Sequence, residues 1–303
     1  MSGRRPGWPH RFNPTKLGGC VAWWEGDFPP AVGTVIDATG EPRLFTTIPN
    51  LGSLGGTFGS AAGARPAVAH IESGGLLRQV AAFDGATDYH DSSLAAASWN
   101  ILHNGVSPVT ITISFMVTSL AAVRWLFATD GVGFGTIGVE MYIGAAGQLY
   151  FTVLEGGGVG PALALNAGVG TITVNQPYTV SVTYGPGLTP NGTLRVNGVV
   201  VVTAAYARAP TANNATATMR LGCHPTGVLW FVGDIFEFTA HVSAAGITLA
   251  QQVVLENYYA SKYCRPDAIS RQVPTIRLSP SLPGSLNLDT VFAPTAVDRV
   301  WDA

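Results

Sequence analysis

Alternation of apolar and polar positions dominates the chain. In Val109–Val117 (VTITISFMV), Val109, Ile111, Ile113, Phe115 and Val117 fall on one side. Thr110, Thr112 and Ser114 fall on the other, the period of two that a strand with two different faces requires. Shorter apolar segments repeat the pattern at Leu17–Trp24, Leu76–Phe83, Val123–Ala128, Ile137–Ile143, Gln148–Leu154, Tyr178–Tyr184, Thr193–Val202, Met219–Gly222 and Leu229–Val242. Turn chemistry separates them: Asp37–Gly40, the Gly/Ala/Ser-rich Asn50–Arg65, Asp84-Gly85, Gly144–Gly147, Gly156–Gly160 and the hairpin signal Asn197-Gly198. Many short strands with turns between them predict an antiparallel sandwich rather than βαβ units, and no repeat of propeller or solenoid length is present.

One segment departs from this rhythm. In Leu229–Tyr263, a long strand with a bulge expected at Gly233 is followed by a turn through Ser243–Gly246 and an amphipathic helix. Phe236, Phe238 and Ala240 alternate with Glu237, Thr239 and His241 along the strand. Thr248 and Gln251 have the [ST]-x-x-[EQ] spacing of a capping box, which satisfies two orphan backbone donors at a helix start. The predicted fold class is therefore all-β, with one C-terminal helix.

After Cys264 the pattern changes again. Pro266, Pro274, Pro280, Pro283 and Pro294 forbid a long helix or a central strand. Ile276, Leu278, Leu286, Leu288, Phe292 and Trp301 nevertheless make the segment too apolar for a plain tail. The first residues hold Arg4, Arg5 and Arg11 around Trp8. Three regions follow: an N-terminal arm over 1–16, a sandwich over 17–264 and an extended Pro-rich arm over 265–303. As partner-binding elements, the arms would use Trp8 and the C-terminal apolar residues as anchors, with the arginines meeting acidic groups on a neighbour.

Composition narrows the function classes. Only 11% of the 303 residues are charged while 47% are hydrophobic, with a net charge of −2. So uncharged a surface favours association, with other proteins or with further copies of the chain. It gives no general pull toward nucleic acid, and Arg4, Arg5 and Arg11 are too few to make a basic stripe. No apolar run is long enough to span a bilayer as a helix, and the N-terminus lacks the apolar core of a signal peptide. Cys20, Cys223 and Cys264 have no C-x-x-C spacing and read as buried thiols of a chain made in a reducing cytoplasm.

Four features together carry a family resemblance: AWW-x-x-D from Ala22 to Asp27, FDG-x-x-DY at Phe83–Tyr89, GDIFE at Gly233–Glu237, and the terminal helix ending in ENYYASKY. With these the chain resembles the concanavalin A-like lectin/glucanase superfamily, in particular the laminin-G-like jelly rolls of bacteriophage virion and bacterial surface proteins. The resemblance covers roughly 17–264 and implies a two-sheet antiparallel jelly-roll sandwich. No cofactor is expected from the residues; the resemblance allows calcium at one rim, where Asp84, Asp88 and Asp91 could supply oxygen ligands. The leading reading of Asp84 and Asp88 is turn capping through Asx hydrogen bonds.

The fold hosts lectins, hydrolases and structural modules, so activity must be read from residues. The glucanase branch places carboxylates on alternate positions of one strand, but Glu25-Gly26-Asp27 runs into Phe28-Pro29-Pro30, and Asp234 and Glu237 are an odd number apart. Glu140 and Glu155 sit on separate predicted strands, and no G-x-S-x-G or H-E-x-x-H occurs. The chain is expected not to be an enzyme. An exposed aromatic platform would suit a sugar; Trp125 and Trp230 are the candidates, but both lie in apolar strands and are expected in the core. No residue is assigned to glycan binding at this level. The leading expectation is a structural protein of a bacteriophage virion, assembled in the host cytoplasm. It would decorate the capsid or associate with the head, attached to other virion proteins through its arms. The alternative is a lectin-like module recognising a host surface glycan.

Overall fold

A computed structural model describes residues 12–26, 34–36, 42–45, 47–61, 63–73, 76–131, 135–158, 160–244 and 246–263. The partner-binding residues expected in the arms (Arg4, Arg5, Trp8, Arg11, Ile276, Leu278, Leu286, Leu288, Phe292 and Trp301) lie outside them, as do Asp27 and Cys264. The first strands are β1 (Cys20–Glu25), β2 (Thr34–Ile36), β3 (Pro42–Phe45), β4 (Thr47–Pro49), β5 (Thr57–Gly59) and β6 (Ala67–Ser73). Next come β7 (Leu76–Asp84), β8 (His90–Ser92), β9 (Val109–Val117), β10 (Arg124–Ala128), β11 (Ile137–Ile143) and β12 (Leu149–Glu155). The last are β13 (Leu163–Ala167), β14 (Pro177–Tyr184), β15 (Gly192–Val196), β16 (Val199–Ala204), β17 (Arg220–Leu221) and β18 (Val232–Val242), followed by the helix α1 (Leu249–Lys262).

All pairings are antiparallel and form two sheets. The ten-stranded sheet runs β16-β15-β14-β9-β18-β7-β6-β3-β2, with β1 also on β18; the eight-stranded sheet runs β13-β12-β11-β10-β17-β8-β5-β4. The fold class read from the alternation therefore holds: an all-β two-sheet sandwich with one α-helix among the described residues. No helix among those residues is long and apolar enough to cross a membrane.

The inward faces meet in one core. Ile111, Ile113, Phe115, Val180, Val182, Phe238 and Ala240 from one sheet pack on Leu126, Phe127, Val139, Met141, Phe151 and Val153 from the other. Phe127 and Phe238 meet edge to face across it, with ring centroids 5.3 Å apart.

The outer face of the larger sheet is not left to water. Thr110, Thr112 and Ser114, the polar side of β9, are buried. Cross-strand hydroxyl pairs satisfy two of them, Ser114 with Thr179 at 2.8 Å and Thr110 with Thr183 at 3.0 Å. The helix covers this face, packing Leu255, Tyr259 and Tyr263 on Val80 and Phe236. Its capping box forms as expected: the Thr248 hydroxyl accepts from Gln251 N–H at 3.2 Å, and Gln251 Oε1 accepts from Thr248 N–H at 2.8 Å.

The bulge in β18 is displaced from its expected place. The register slips between Ile235 and Glu237, so Phe236 is the inserted residue. Gly233 serves another need: its φ is +135°, and a Cβ there would lie 2.1 Å from the Met116 carbonyl oxygen. The bulge also removes the odd-spacing argument for Asp234 and Glu237. Asp234 pairs with Met116 and Glu237 with Ser114, both on the outward side of β9, so the two acids share a face.

Cys20 and Cys223 are buried free thiols, as expected, and burial raises them to about 12 and about 11. His90 is buried in the core, where Trp24 Nε1–H donates to His90 Nδ1 at 3.1 Å. The indole is a donor only, so protonating Nδ1 would set two N–H groups against each other. Burial lowers His90 to about 3. Its folded value lies below the unfolded 6.5, so its contribution is present above pH 6.5 and is lost as pH falls toward about 3. His90→Gln, which keeps an acceptor for Trp24, should therefore gain stability relative to the wild type on acidification from pH 8 to pH 4, by up to about 1.4 kcal/mol per pH unit. Thermal melts of both proteins across that range test this; a constant gap in melting temperature would refute it.

Candidate functional site

The outward face of the eight-stranded sheet carries the molecule's other organised side chains. Period-two alternation sends Val139, Met141 and Ile143 of β11 inward, leaving Glu140 and Tyr142 outward. On β12 the same rule turns Tyr150 and Thr152 outward, and on β13 Ala164 and Asn166. A register slip in β10 between Trp125 and Phe127 puts Leu126 and Phe127 in the core and leaves Trp125 outside.

Register then assembles a row. Trp125 pairs with Tyr142, Tyr142 with Tyr150, and Tyr150 with the exposed Asn166. The rings of Trp125 and Tyr142 stack at 4.5 Å and 16°, and those of Tyr142 and Tyr150 at 4.7 Å and 13°. All three are half-buried, so part of each residue borders solvent. The expectation that Trp125 and Trp230 lie in the core fails for both. Trp230 is also half-buried, beside Tyr89 at 6.1 Å, and the Arg220 guanidinium sits 4.1 Å over the Tyr89 ring.

One step along the same face, Glu140 pairs with Ala128 and with Thr152. Its carboxylate accepts from Thr152 Oγ1–H at 2.8 Å and from Trp125 Nε1–H at 3.0 Å. Asp130 lies two residues past the end of β10 and His224 three past the end of β17; Oδ2 of Asp130 stands 3.8 Å from His224 Nε2. One ligand atom from each of Asp130, Glu140 and His224 can be chosen so that all lie within 4.8 Å of one another. The imidazole is held by Thr226 Oγ1, 2.8 Å from Nδ1, and by the Gly131 carbonyl oxygen, 3.1 Å from Nε2. The Trp125 ring meets it edge-on at 5.3 Å.

Burial governs the electrostatics. Asp130 is 1% exposed, and no donor meets either of its carboxylate oxygens in good hydrogen-bond geometry. Burial raises its pKa against the opposing pull of His224. Glu140, 9% exposed, is pushed up to about 7 by burial first and by the Asp130 charge second. Tyr142 rises to about 12 by burial and the neighbouring Glu140.

The acidic trio named from sequence is engaged elsewhere. Asp84 Oδ1 accepts from the N–H groups of Ala86, Thr87 and Asp88 at 2.8, 2.8 and 3.1 Å, an Asx turn. Asp88 Oδ2 accepts from Asp84 N–H at 3.0 Å, and burial followed by the Asp84 charge raises Asp88 to about 6. Asp91 forms a two-pronged ion pair with Arg220 at 2.5 and 2.7 Å. Glu140 finds its carboxylate neighbour in Asp130 rather than Glu155. The sequence signal for that pair was the hairpin joining β10 and β11, which brings the end of one strand beside the middle of the next. His224 arrives from a distant segment and left no signal.

No family model and no curated protein matches the chain. Among solved structures, an arabinofuranosidase complexed with arabinofuranosyl-α-1,2-xylobiose is similar over 94% of this chain and 76% of its own, at 9% identity and a TM-score of 0.56. Domain 4 of a GH43 extracellular arabinanase from Geobacillus stearothermophilus, in complex with arabinotriose, covers 77% of this chain and 95% of its own, at 15% identity and a TM-score of 0.45. The CBM40 of Ruminococcus gnavus IT-sialidase, bound to α2,3-sialyllactose, covers 45% of this chain and 76% of its own, at 20% identity and a TM-score of 0.38. The likeness is one of fold.

Proposed function

We propose that this chain is a lectin-like carbohydrate-binding sandwich whose contact surface is the outward face of the eight-stranded sheet. The observation that carries this reading is the row Trp125–Tyr142–Tyr150, half-buried on that face with Glu140 and Asn166 beside it. Sugars present apolar C–H faces edged by hydroxyls, and their binding sites combine aromatic surface with a few placed polar groups. Tyrosine hydroxyls, the Glu140 carboxylate and the Asn166 amide supply such groups here. Glu140 favours neutral oligosaccharides over sialylated ones above pH 7, where its carboxylate is ionised and would repel a second one.

Binding without cleavage is the preferred form of this reading. Hydrolysis needs two carboxylates reaching the scissile bond, and Asp130, the partner of Glu140, is 1% exposed. Attachment to a virion is the reading whose support lay in the arms at 1–16 and 265–303, and the described residues add nothing to it. A concanavalin A-like, laminin-G-like ancestry suits the sandwich and remains part of the proposal.

Titration of the whole chain with neutral pentose and hexose oligosaccharides, followed by calorimetry, is expected to show saturable binding. Sialyllactose should bind more weakly, and the incubated oligosaccharides should show no new reducing ends. No binding to a broad glycan array would overturn the proposal.

A further inference from the structure

We propose that Asp130, Glu140 and His224 bind one divalent transition-metal ion of the zinc class on the eight-stranded sheet. Two carboxylates and an imidazole from three separate elements already converge within 4.8 Å. On a tetrahedral zinc centre neighbouring ligand atoms are about 3.3 Å apart, so the 3.8 Å between Asp130 and His224 needs little adjustment.

An independent observation is the state of Asp130. It is 1% exposed, and no donor meets either carboxylate oxygen in good hydrogen-bond geometry; the His224 imidazole and the Thr136 hydroxyl only approach it. A buried carboxylate without well-placed donors is costly, and a cation seated between it and Glu140 would satisfy both. The surroundings orient the other two ligands as metal sites require. His224 Nε2–H donates to the Gly131 carbonyl oxygen at 3.1 Å, so a metal at Nε2 would displace that proton; Nδ1, which now accepts from Thr226 N–H at 3.3 Å, would then carry the proton toward Thr226 Oγ1, 2.8 Å away. Thr152 and Trp125 each donate one bond to Glu140, and each oxygen keeps a lone pair for a metal.

The donor set selects the metal. Calcium takes six to eight oxygen ligands and uses imidazole poorly, whereas zinc and its neighbours accept mixed nitrogen and oxygen donors in small numbers. Three protein ligands leave a position open for water. The site shares Glu140 with the glycan-binding reading, and a bound cation would remove the repulsion of sialylated sugars; the test separates the two because it is read with metal salts alone.

The whole chain, stripped with a chelator and exchanged into metal-free buffer, is titrated calorimetrically with zinc chloride and, in parallel, with calcium chloride. Zinc should bind, and Asp130→Asn and His224→Gln should each weaken it by about 100-fold. Melts of the metal-free proteins provide the folding control: Asp130→Asn keeps the shape of the side chain and should melt within a few degrees of the wild type, so that lost zinc binding is not lost folding. Absence of zinc binding up to about 1 mM would overturn the proposal. So would undiminished zinc affinity in both variants, or calcium binding abolished by Asp130→Asn.

Discussion

Replacing Lys262 by methionine is expected to lower stability by about 3–5 kcal/mol. The side chain is 4% exposed, and Nζ donates to Glu25 Oε1 at 2.5 Å and to Glu237 Oε2 at 2.7 Å. Glu25 and Glu237 stand directly opposite each other on paired strands, which would repel without a cation between them. Tyr263 Oη–H and Trp23 Nε1–H also donate to Glu237, at 2.9 and 2.7 Å. These neutral donors orient the carboxylate but cannot replace the charge. Burial first, and the Glu25 charge opposing Lys262, push Glu237 up to about 7. The methionine variant leaves two buried carboxylates with no ammonium, and the C-terminal turn of α1 loses its tie to β1 and β18.

Chemical denaturation at pH 8 reads the loss directly, and the melting temperature should fall by roughly 2–4 °C per kcal/mol. The deficit should shrink toward pH 5, where Glu237, raised to about 7, takes up a proton. Adding Glu25→Gln and Glu237→Gln should recover part of it, since removing all three charges is less damaging than stranding two. Lys16→Met, at an exposed position, is the control and should change little. A loss below about 1 kcal/mol for Lys262→Met would mean that the cluster is not holding the helix.

The second large effect concerns the aromatic row. Tyr142→Ala removes the central ring and both stacks at once, and is expected to weaken glycan binding by about 2 kcal/mol or more, roughly 30-fold in Kd. Trp125→Phe keeps a ring in the row but loses the bond to Glu140 Oε2, so its smaller effect separates stacking from carboxylate positioning. Both rings lie outside the core, so melting temperatures should fall by only a few degrees. Binding unchanged in Tyr142→Ala, in a protein that does bind glycans, would move the contact surface elsewhere. The half-buried pair of Trp230 and Tyr89 would be the next surface to examine.

Local chemistry was legible in the chain where short-range rules act alone. Alternation located β1, β7, β9 to β12 and β14 to β18, Asn197-Gly198 the hairpin between β15 and β16, and Thr248 with Gln251 the start of α1. Each depends only on neighbours within a few residues. Strands β2 to β6 and β13 lie outside the predicted segments, and β5 falls within the stretch read as loop. The sandwich followed because so many two-faced strands with short turns must pack face to face.

What alternation could not determine was what each second face meets. Thr110, Thr112 and Ser114 read as an outward polar side, yet α1 covers that side and a hydroxyl ladder satisfies part of it. Register slips at Phe236 and after Trp125 reversed which side chains turn outward, and such slips have no fixed sequence signature. They placed Trp125 on the open sheet and Glu237 beneath the helix. The meeting of Asp130 and Glu140 with His224 depends on β10 and β17 being neighbours in the sheet. Sequence by itself determined most of the longer strands, the helix and their two-faced character. The tertiary structure alone decided which faces are covered and which distant polar groups converge, because sheet order and register are set by packing over long separations rather than by local preference.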